Sequence, residues 1–489
     1  ENSDAWVKAK VASYQKQHKA LHERVVKRRK KETGSAKVGD NGLDPGDEAS
    51  LARMSKNLSR HRWELDRTQP IAFSVYTGKT ITRKNVGSRL ALPLDPWIEG
   101  RMETDAILTG GNVYSPSDEV TPGGLSAVEA LGRMNPASFP RDQGKRRLAL
   151  AEWIVDEKNP LTARVMVNRV WSWYFGQGLA KNPNNFGGTG EPPTHPWLLD
   201  YLAHWFMENG WSVKKLTTLI VNSEAYRRSS RHPVPSRERE LDTKRQLYAT
   251  FLPRRLTAEE LRDAMLAVSG ELNPQVGGVP ARPDVNEEVA VQPRQIMGGT
   301  ASVYEPDPLP AQRNRRSIYA EKLRGLRDPF LESFNQPGPD DSCEMRETST
   351  VAPQALTLFN TEEVQDRSLA FASRLVSERS TDEATIQRAF AMTLGREATL
   401  EELSVCRDHW KAAVQEESGK VHEPKTFPSR IKRTVMAEKT GEPYDFFEFL
   451  PTFEHYQPDL QPSDVDARTR GLAQVCLVLF NLNEFAYLD

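Results

Sequence analysis

Glu191 and His195 stand four residues apart in FGGTGEPPTHPWLLDYLAHWF, which runs from Phe186 to Phe206 and ends in a dense apolar run. A carboxylate and an imidazole at the mouth of a helix suit acid–base work or the holding of an anion, because the first turn presents unpaired N–H groups and the positive end of the helix dipole. The same two residues also read as a surface glutamate and a capping histidine. A second candidate lies in VNRVWSWYF. Asn168 and Arg169 interrupt an apolar helix there, so they are either buried with partners or lining a cavity. Trp171 and Trp173 either stack on a sugar ring or fill a core. Arg169, Trp171, Trp173, Glu191 and His195 are therefore the candidate binding residues, and no catalytic residue is assigned.

Other chemistry is excluded by spacing. No Lys-Ser/Thr follows the glycines at 187, 188 and 190, and they do not match G-x-G-x-x-G, so nucleotide binding is not expected. There is no G-x-S-x-G elbow, no H-E-x-x-H and no EF-hand loop. Cys343, Cys406 and Cys476 form no C-x-x-C, zinc or C-x-x-C-H pattern, and Cys406 and Cys476 read as small core hydrophobes. His18 and His22 share a helix face but lack a third ligand, and the basic run Lys27 to Lys31 reads as a solvated helix end. No metal and no cofactor is expected. The 67 acidic residues offer too many combinations for a catalytic carboxylate pair to be picked out.

The elements that position these residues belong to a chain of 489 residues, long enough for two or three domains. Its net charge of −1 gives no reason to expect nucleic acid or an anionic membrane as partner. Mean hydropathy is −0.62. No apolar run approaches the roughly 20 residues of a membrane span, and LAQVCLVLFNL, from Leu472, reads as a core helix. The expected organisation has three parts: a charged helical hairpin arm over 1–68, a small β-rich segment over 69–138 and a mainly helical domain over 139–489. In the second part, IAFSVYTG and AILTGGNVY carry the strand signal and SPSDEVTPGG is its loop exit. In the third, helices start near Asn159, His195, Ser212, Thr257 and Thr399, with capping boxes Thr257/Glu260 and Thr399/Glu402 and glycine stops at Gly176 and Gly270. Long irregular loops are expected over about 277–313 and 337–350. The fold class is mainly α.

Within that frame the stretch after Phe186 becomes a turn. Its glycines permit positive φ, and the following helix is expected to bury Trp197, Leu198, Tyr201, Leu202, Trp205 and Phe206. Glu191 or another acid is expected to pair with Arg169, which removes an unpaired guanidinium.

The run RRLALAEWIVDEKNPLTARVMVNRVWSWYFGQGLAKNPNNFGGTGEPPTHPWLLDYLAHWFMENGWSVKKLTTLIVNSEAYRRSS resembles a planctomycete-specific domain of unknown function. The likeness continues through RRLTAEELRDAML, RRSIY, TSTVAPQALTLFN, AFAMTLGR and LVLFNLNEFAYLD, and so covers roughly 139–489; ILTGGNVYSPSDEVTPGGLSAV resembles the segment that precedes the domain. The resemblance implies an exported protein, periplasmic or at the cell surface, with a companion domain upstream and in many cases a cytochrome c module. It supplies no catalytic residues. Two functions follow as expectations. One is a scaffold or binding module that assembles with its N-terminal portion or another exported protein, for which the start at Glu1 fits a processed polypeptide. The other is a carbohydrate-acting enzyme with Glu191 and His195 as its acid/base site.

Overall fold

A computed structural model of the chain describes residues 8, 11–12, 15–16, 18–20, 22–23 and 26–27, and then 75–488 except 77, 83–89, 96–97, 103, 136–138, 141, 292–294, 297–298, 301–302, 324, 339–341, 344, 347–348, 380 and 437–442. The expected hairpin arm lies almost wholly outside the described residues. Those described between 8 and 27 are helical. The fold is mainly α, with sixteen named helices and only two-stranded antiparallel sheets among the described residues. Two compact units divide the rest of the chain, Ala72–Pro253 and Arg254–Leu488.

The first unit opens with two hairpins. β1 (Ile81–Thr82) pairs with β2 (Leu90–Ala91), and β3 (Ala106–Leu108) with β4 (Pro116–Glu119). The segment read as a loop exit therefore contains β4. Its four residues are all exposed, so no apolar alternation marked it as a strand. Then follow α1 (Ser126–Gly132), α2 (Gln143–Val155), α3 (Thr162–Phe175), α4 (Pro196–Glu208), α5 (Val213–Val221) and α6 (Pro235–Leu241). Ser212 caps α5 as expected, accepting a bond from the Lys215 amide, and Gly176 closes α3 in the left-handed conformation. α3 starts later than expected, with Leu161 at the N-cap. Asn159 instead makes a turn before the helix, its side-chain oxygen accepting from the Leu161 amide at 3.0 Å.

The core of this unit joins α3, α4 and α5. Val167, Val170, Leu199, Phe206, Leu216 and Ile220 are all essentially inaccessible. α4 presents Leu199, Leu202, Ala203 and Phe206 inward, an i, i+3, i+4, i+7 stripe. The expected face is thus rotated: Trp197 is 86 % exposed and Tyr201 59 %, while Leu198 and Trp205 are partly buried.

The second unit begins with β5 (Arg254–Arg255) and α7 (Ala258–Ser269), and continues through α8 (Glu287–Ala290), β6 (Gln295–Ile296), β7 (Gly299–Thr300), α9 (Pro310–Arg313), α10 (Pro329–Ser333), α11 (Ala352–Asn360), α12 (Glu362–Glu378), α13 (Asp382–Leu394) and α14 (Leu400–Glu417). A seven-residue hairpin of β8 (Arg430–Met436) and β9 (Pro443–Phe449) precedes α15 (Ala467–Phe480) and α16 (Asn483–Ala486), and β10 (Tyr487–Leu488) returns to pair with β5. Both expected capping boxes form, at the starts of α7 and α14. α12 packs against α7 and α15, and α15 against α14. Between them lie Leu261, Met265, Phe371, Leu375, Phe390 and Phe480. Cys476 is in this core and Cys406 is packed against it.

Candidate functional site

The five residues singled out in the sequence do not converge on one centre. Trp171 is buried. Its ring stacks on Phe175 at 4.2 Å between centroids, and its indole N–H donates to the Tyr248 hydroxyl at 2.9 Å. Trp173, two residues on, faces solvent. Glu191 is exposed and pairs with Lys181 at 3.4 Å. His195 sits at the N-cap of α4 without capping it; its Nδ1 lies 3.0 Å from Thr194 Oγ1 and its ring 5.5 Å from Tyr248. The Thr194 amide donates to the Leu179 carbonyl at 2.9 Å and so ties the turn to the loop after α3.

Among the described residues Arg169 pairs with no acid. Its Nη2 donates to Asn184 Oδ1 at 2.5 Å, which overturns the expected pairing with Glu191 or another carboxylate. The guanidinium is only partly buried, so it keeps enough water for a neutral acceptor to suffice. Asn168 is fully buried with partners: its amide donates to the Ala180 carbonyl and its oxygen accepts from the Ala180 amide, both at 2.8 Å. That clamp fixes the loop after α3. The glycines of the turn do not use the positive φ that their type permits. None of the three has positive φ. A Cβ at Gly190 would instead lie 2.2 Å from the Asn185 carbonyl oxygen, so close backbone approach excludes a side chain there. Tyr248, which links Trp171 and His195, holds φ at +52°, a left-handed conformation uncommon for a tyrosine. Burial pushes its hydroxyl pKa up, with the Trp171 bond acting against the shift.

The strongest electrostatic constellation lies in the other unit. Arg313, fully inaccessible, reaches Asp284 at 2.6 Å and Asp459 at 2.9 Å, and donates to the carbonyls of Asp307 and Pro308 at 3.1 Å each. Its guanidinium lies 4.4 Å from the Tyr456 ring centroid, and the Tyr456 hydroxyl donates to Asp284 at 2.8 Å. Arg367 on α12 shares Asp459 and also meets Glu271 at 2.8 Å. Arg262 on α7 meets Glu363 at 2.9 Å and donates to the carbonyls of Arg313 and Arg315. Arg315 donates to the carbonyls of Gln275, Gly277 and Val279.

Burial pushes the Asp366 carboxyl up to about 7, and the Arg367 charge offsets this only in part. Burial also pushes Asp459 upward, but Arg367 and Arg313 outweigh it and hold that carboxyl below the ordinary range. Arg313 and Arg367 thus face more carboxylates than they have charges, with Asp284, Glu271 and Asp366 all pushed up by burial. Sequence reading missed these groups because they are scattered from Arg262 to Asp459. The one signal was the irregular stretch over 277–313, whose carbonyls and Asp284 are gathered by the arginines.

Among the described residues no group of three or more His, Cys, Asp or Glu side chains is placed to hold a metal ion, and no helix is long and apolar enough to cross a membrane. No curated protein and no solved structure matches the chain. A family described as a protein of unknown function, PSD1 (DUF1553), matches residues 146–410, more than half of the chain, and the chain belongs to that family.

Proposed function

We propose that this protein is an exported helical binding module that assembles with a protein partner, either a domain upstream in the same polypeptide or another exported protein. The observation that carries the proposal is α2. It is thirteen residues long and none of its described side chains is buried. Surface helices ordinarily bury an apolar stripe. Here Leu148 is 64 % and Val155 57 % exposed, with Leu150 and Ile154 also facing outward. What holds α2 in place is polar: Arg146 with Asp105 at 2.7 Å, Trp153 Nε1 with Glu129 at 3.2 Å, and the Thr162 hydroxyl on the Ile154 carbonyl at 2.6 Å. Covering four such half-exposed apolar side chains contributes roughly 1 kcal/mol each, enough to anchor a docking surface. Residence in the periplasm or at the cell surface, and the company of a cytochrome c module, belong to this proposal through the family resemblance.

The carbohydrate-acting alternative finds less support. Glu191 turns to Lys181 and His195 to Thr194 and Tyr248, and Trp171 is committed to the core. Hydrogen exchange separates the readings. The protein is purified from its native source with whatever accompanies it, and α2 amides are compared in the complex and in the isolated chain. Slower exchange across α2 in the complex, lost in the L148E/V155E variant, is expected. Equal exchange in both states removes the proposal.

A further inference from the structure

Asp366 is a carboxyl of the arginine network that no arginine holds. It stands on α12 next to Arg367, half-buried, and makes no hydrogen bond or ion pair with a described residue. Arg367 turns its guanidinium to Glu271 and Asp459, and Arg313 turns its own to Asp284 and Asp459. Three carboxyls therefore share two positive charges already, and Asp366 is a fourth. Burial is the largest force against its ionisation. The neighbouring Arg367 charge favours ionisation, and the charges of Asp459, Asp284 and Glu271 oppose it. Those three act on it from different parts of the chain: Glu271 from the turn after α7, Asp284 from the irregular stretch, where it accepts from the Tyr456 hydroxyl, and Asp459 from the segment before α15. The other elements packed on α12 have their charges engaged elsewhere. Arg262 of α7 pairs with Glu363, and α11 carries no charged side chain. On α13, Asp382 pairs with Arg468 of α15, Arg388 pairs with Glu378, and Glu383 is exposed; Arg470 of α15 pairs with Glu417.

Residues 303–321 carry Arg313 and hence one side of this network. Their helical turns are the four-residue α9 and a 3-10 turn at Ser317–Tyr319. Much of their attachment runs through guanidiniums: Arg313 reaches Asp459 and the Gln457 carbonyl, and Arg262 of α7 donates to the carbonyls of Arg313 and Arg315. A segment with so few helical bonds opens locally more readily than a core helix. An opening that brings water to Asp366 frees it to ionise near pH 4, the ordinary carboxylate value, instead of about 7. Between those values the closed form binds more protons than the open one. The stability of the closed form is therefore fully present below the ordinary pKa and is lost as pH rises through 7.

We propose that Asp366 is a proton-operated latch: protonated, it lets residues 303–321 close over the arginine network, and ionised, it drives that segment to open to water. The latch is independent of the docking surface on α2.

The test is hydrogen exchange of the full chain at pH 6 and pH 8, with each rate divided by the intrinsic exchange rate at that pH. It is followed over 303–321 and, as a control, over α5 of the first unit, which holds no His, Asp or Glu. Opening of 303–321 should become about tenfold more frequent at pH 8 than at pH 6, the factor set by one carboxyl titrating midway between them. Opening of α5 should not change. The D366N side chain is neutral at both values, so the variant should lose that tenfold rise and keep wild-type protection at pH 6. Should D366N fail to fold, the two wild-type comparisons decide alone. Equal opening of 303–321 at the two pH values, an equal rise over α5, or an undiminished rise in folded D366N each overturn the proposal.

Discussion

Replacing Asp459 with asparagine removes the charge shared by two buried arginines. The side chain is 9 % exposed; Arg313 lies 2.9 Å from one oxygen and Arg367 contacts the other. The substituted amide would offer one acceptor and turn an NH2 group toward a guanidinium donor. Breaking a buried pair from one side costs about 3–5 kcal/mol. The lower end applies, because Arg313 keeps Asp284 and Arg367 keeps Glu271. For a unit of this size a loss of about 3 kcal/mol lowers its thermal midpoint by about 6–12 °C. Scanning calorimetry at pH 7 measures this. The pH dependence adds a second condition. The folded Asp459 carboxyl titrates below its unfolded value, so its contribution is present above about pH 4 and lost as pH falls through the folded pKa. The gap between wild type and D459N should therefore close in acid. A variant within about 1 kcal/mol of wild type at pH 7, or a gap unchanged at low pH, refutes the account of a charge-bearing network.

Asp366 titrates in the opposite sense: its folded pKa is raised to about 7, so its contribution is fully present below the unfolded value and lost as pH rises through 7. D366N should stabilise the protein at pH 8 by about 1–3 kcal/mol and leave pH 4 stability unchanged, as urea unfolding at the two pH values would show. N168A opens both bonds of the Ala180 clamp and strands two buried backbone groups, so a loss of about 2–5 kcal/mol is expected by the same method. E191Q should change stability by less than about 0.5 kcal/mol, since the one pair formed is exposed and long; a larger loss would mean that Glu191 holds the turn.

Local signals were legible and long-range ones were not. Ser212, Thr257 with Glu260, and Thr399 with Glu402 start their helices as expected, because a cap involves residues within one turn. The strands of the β8–β9 hairpin lay in a span read as helical, though the Arg430–Met436 and Pro443–Phe449 segments are rich in β-branched and aromatic residues. The orientation of α4 failed for a definite reason. In PWLLDYLAHWF apolar residues occur on nearly every face, so periodicity supports two stripes about equally. Packing against α3 selects the one through Leu199, Leu202, Ala203 and Phe206, and leaves Trp197 and Tyr201 outside.

The two kinds of arginine in this chain show what the sequence could not reveal. Arg169 and Arg313 are alike as letters, and a carboxylate partner was expected for the first. Arg169 is only partly buried, so water still screens its charge, and its Nη2 bonds to the neutral Asn184. Arg313 has no water at all, and an uncompensated guanidinium there would cost several kcal/mol. It accordingly gathers Asp284, Asp459, the carbonyls of Asp307, Pro308 and Gln457, and the face of Tyr456. The partner is decided by depth, and depth is set by the packing of α7, α12 and the irregular stretch between them.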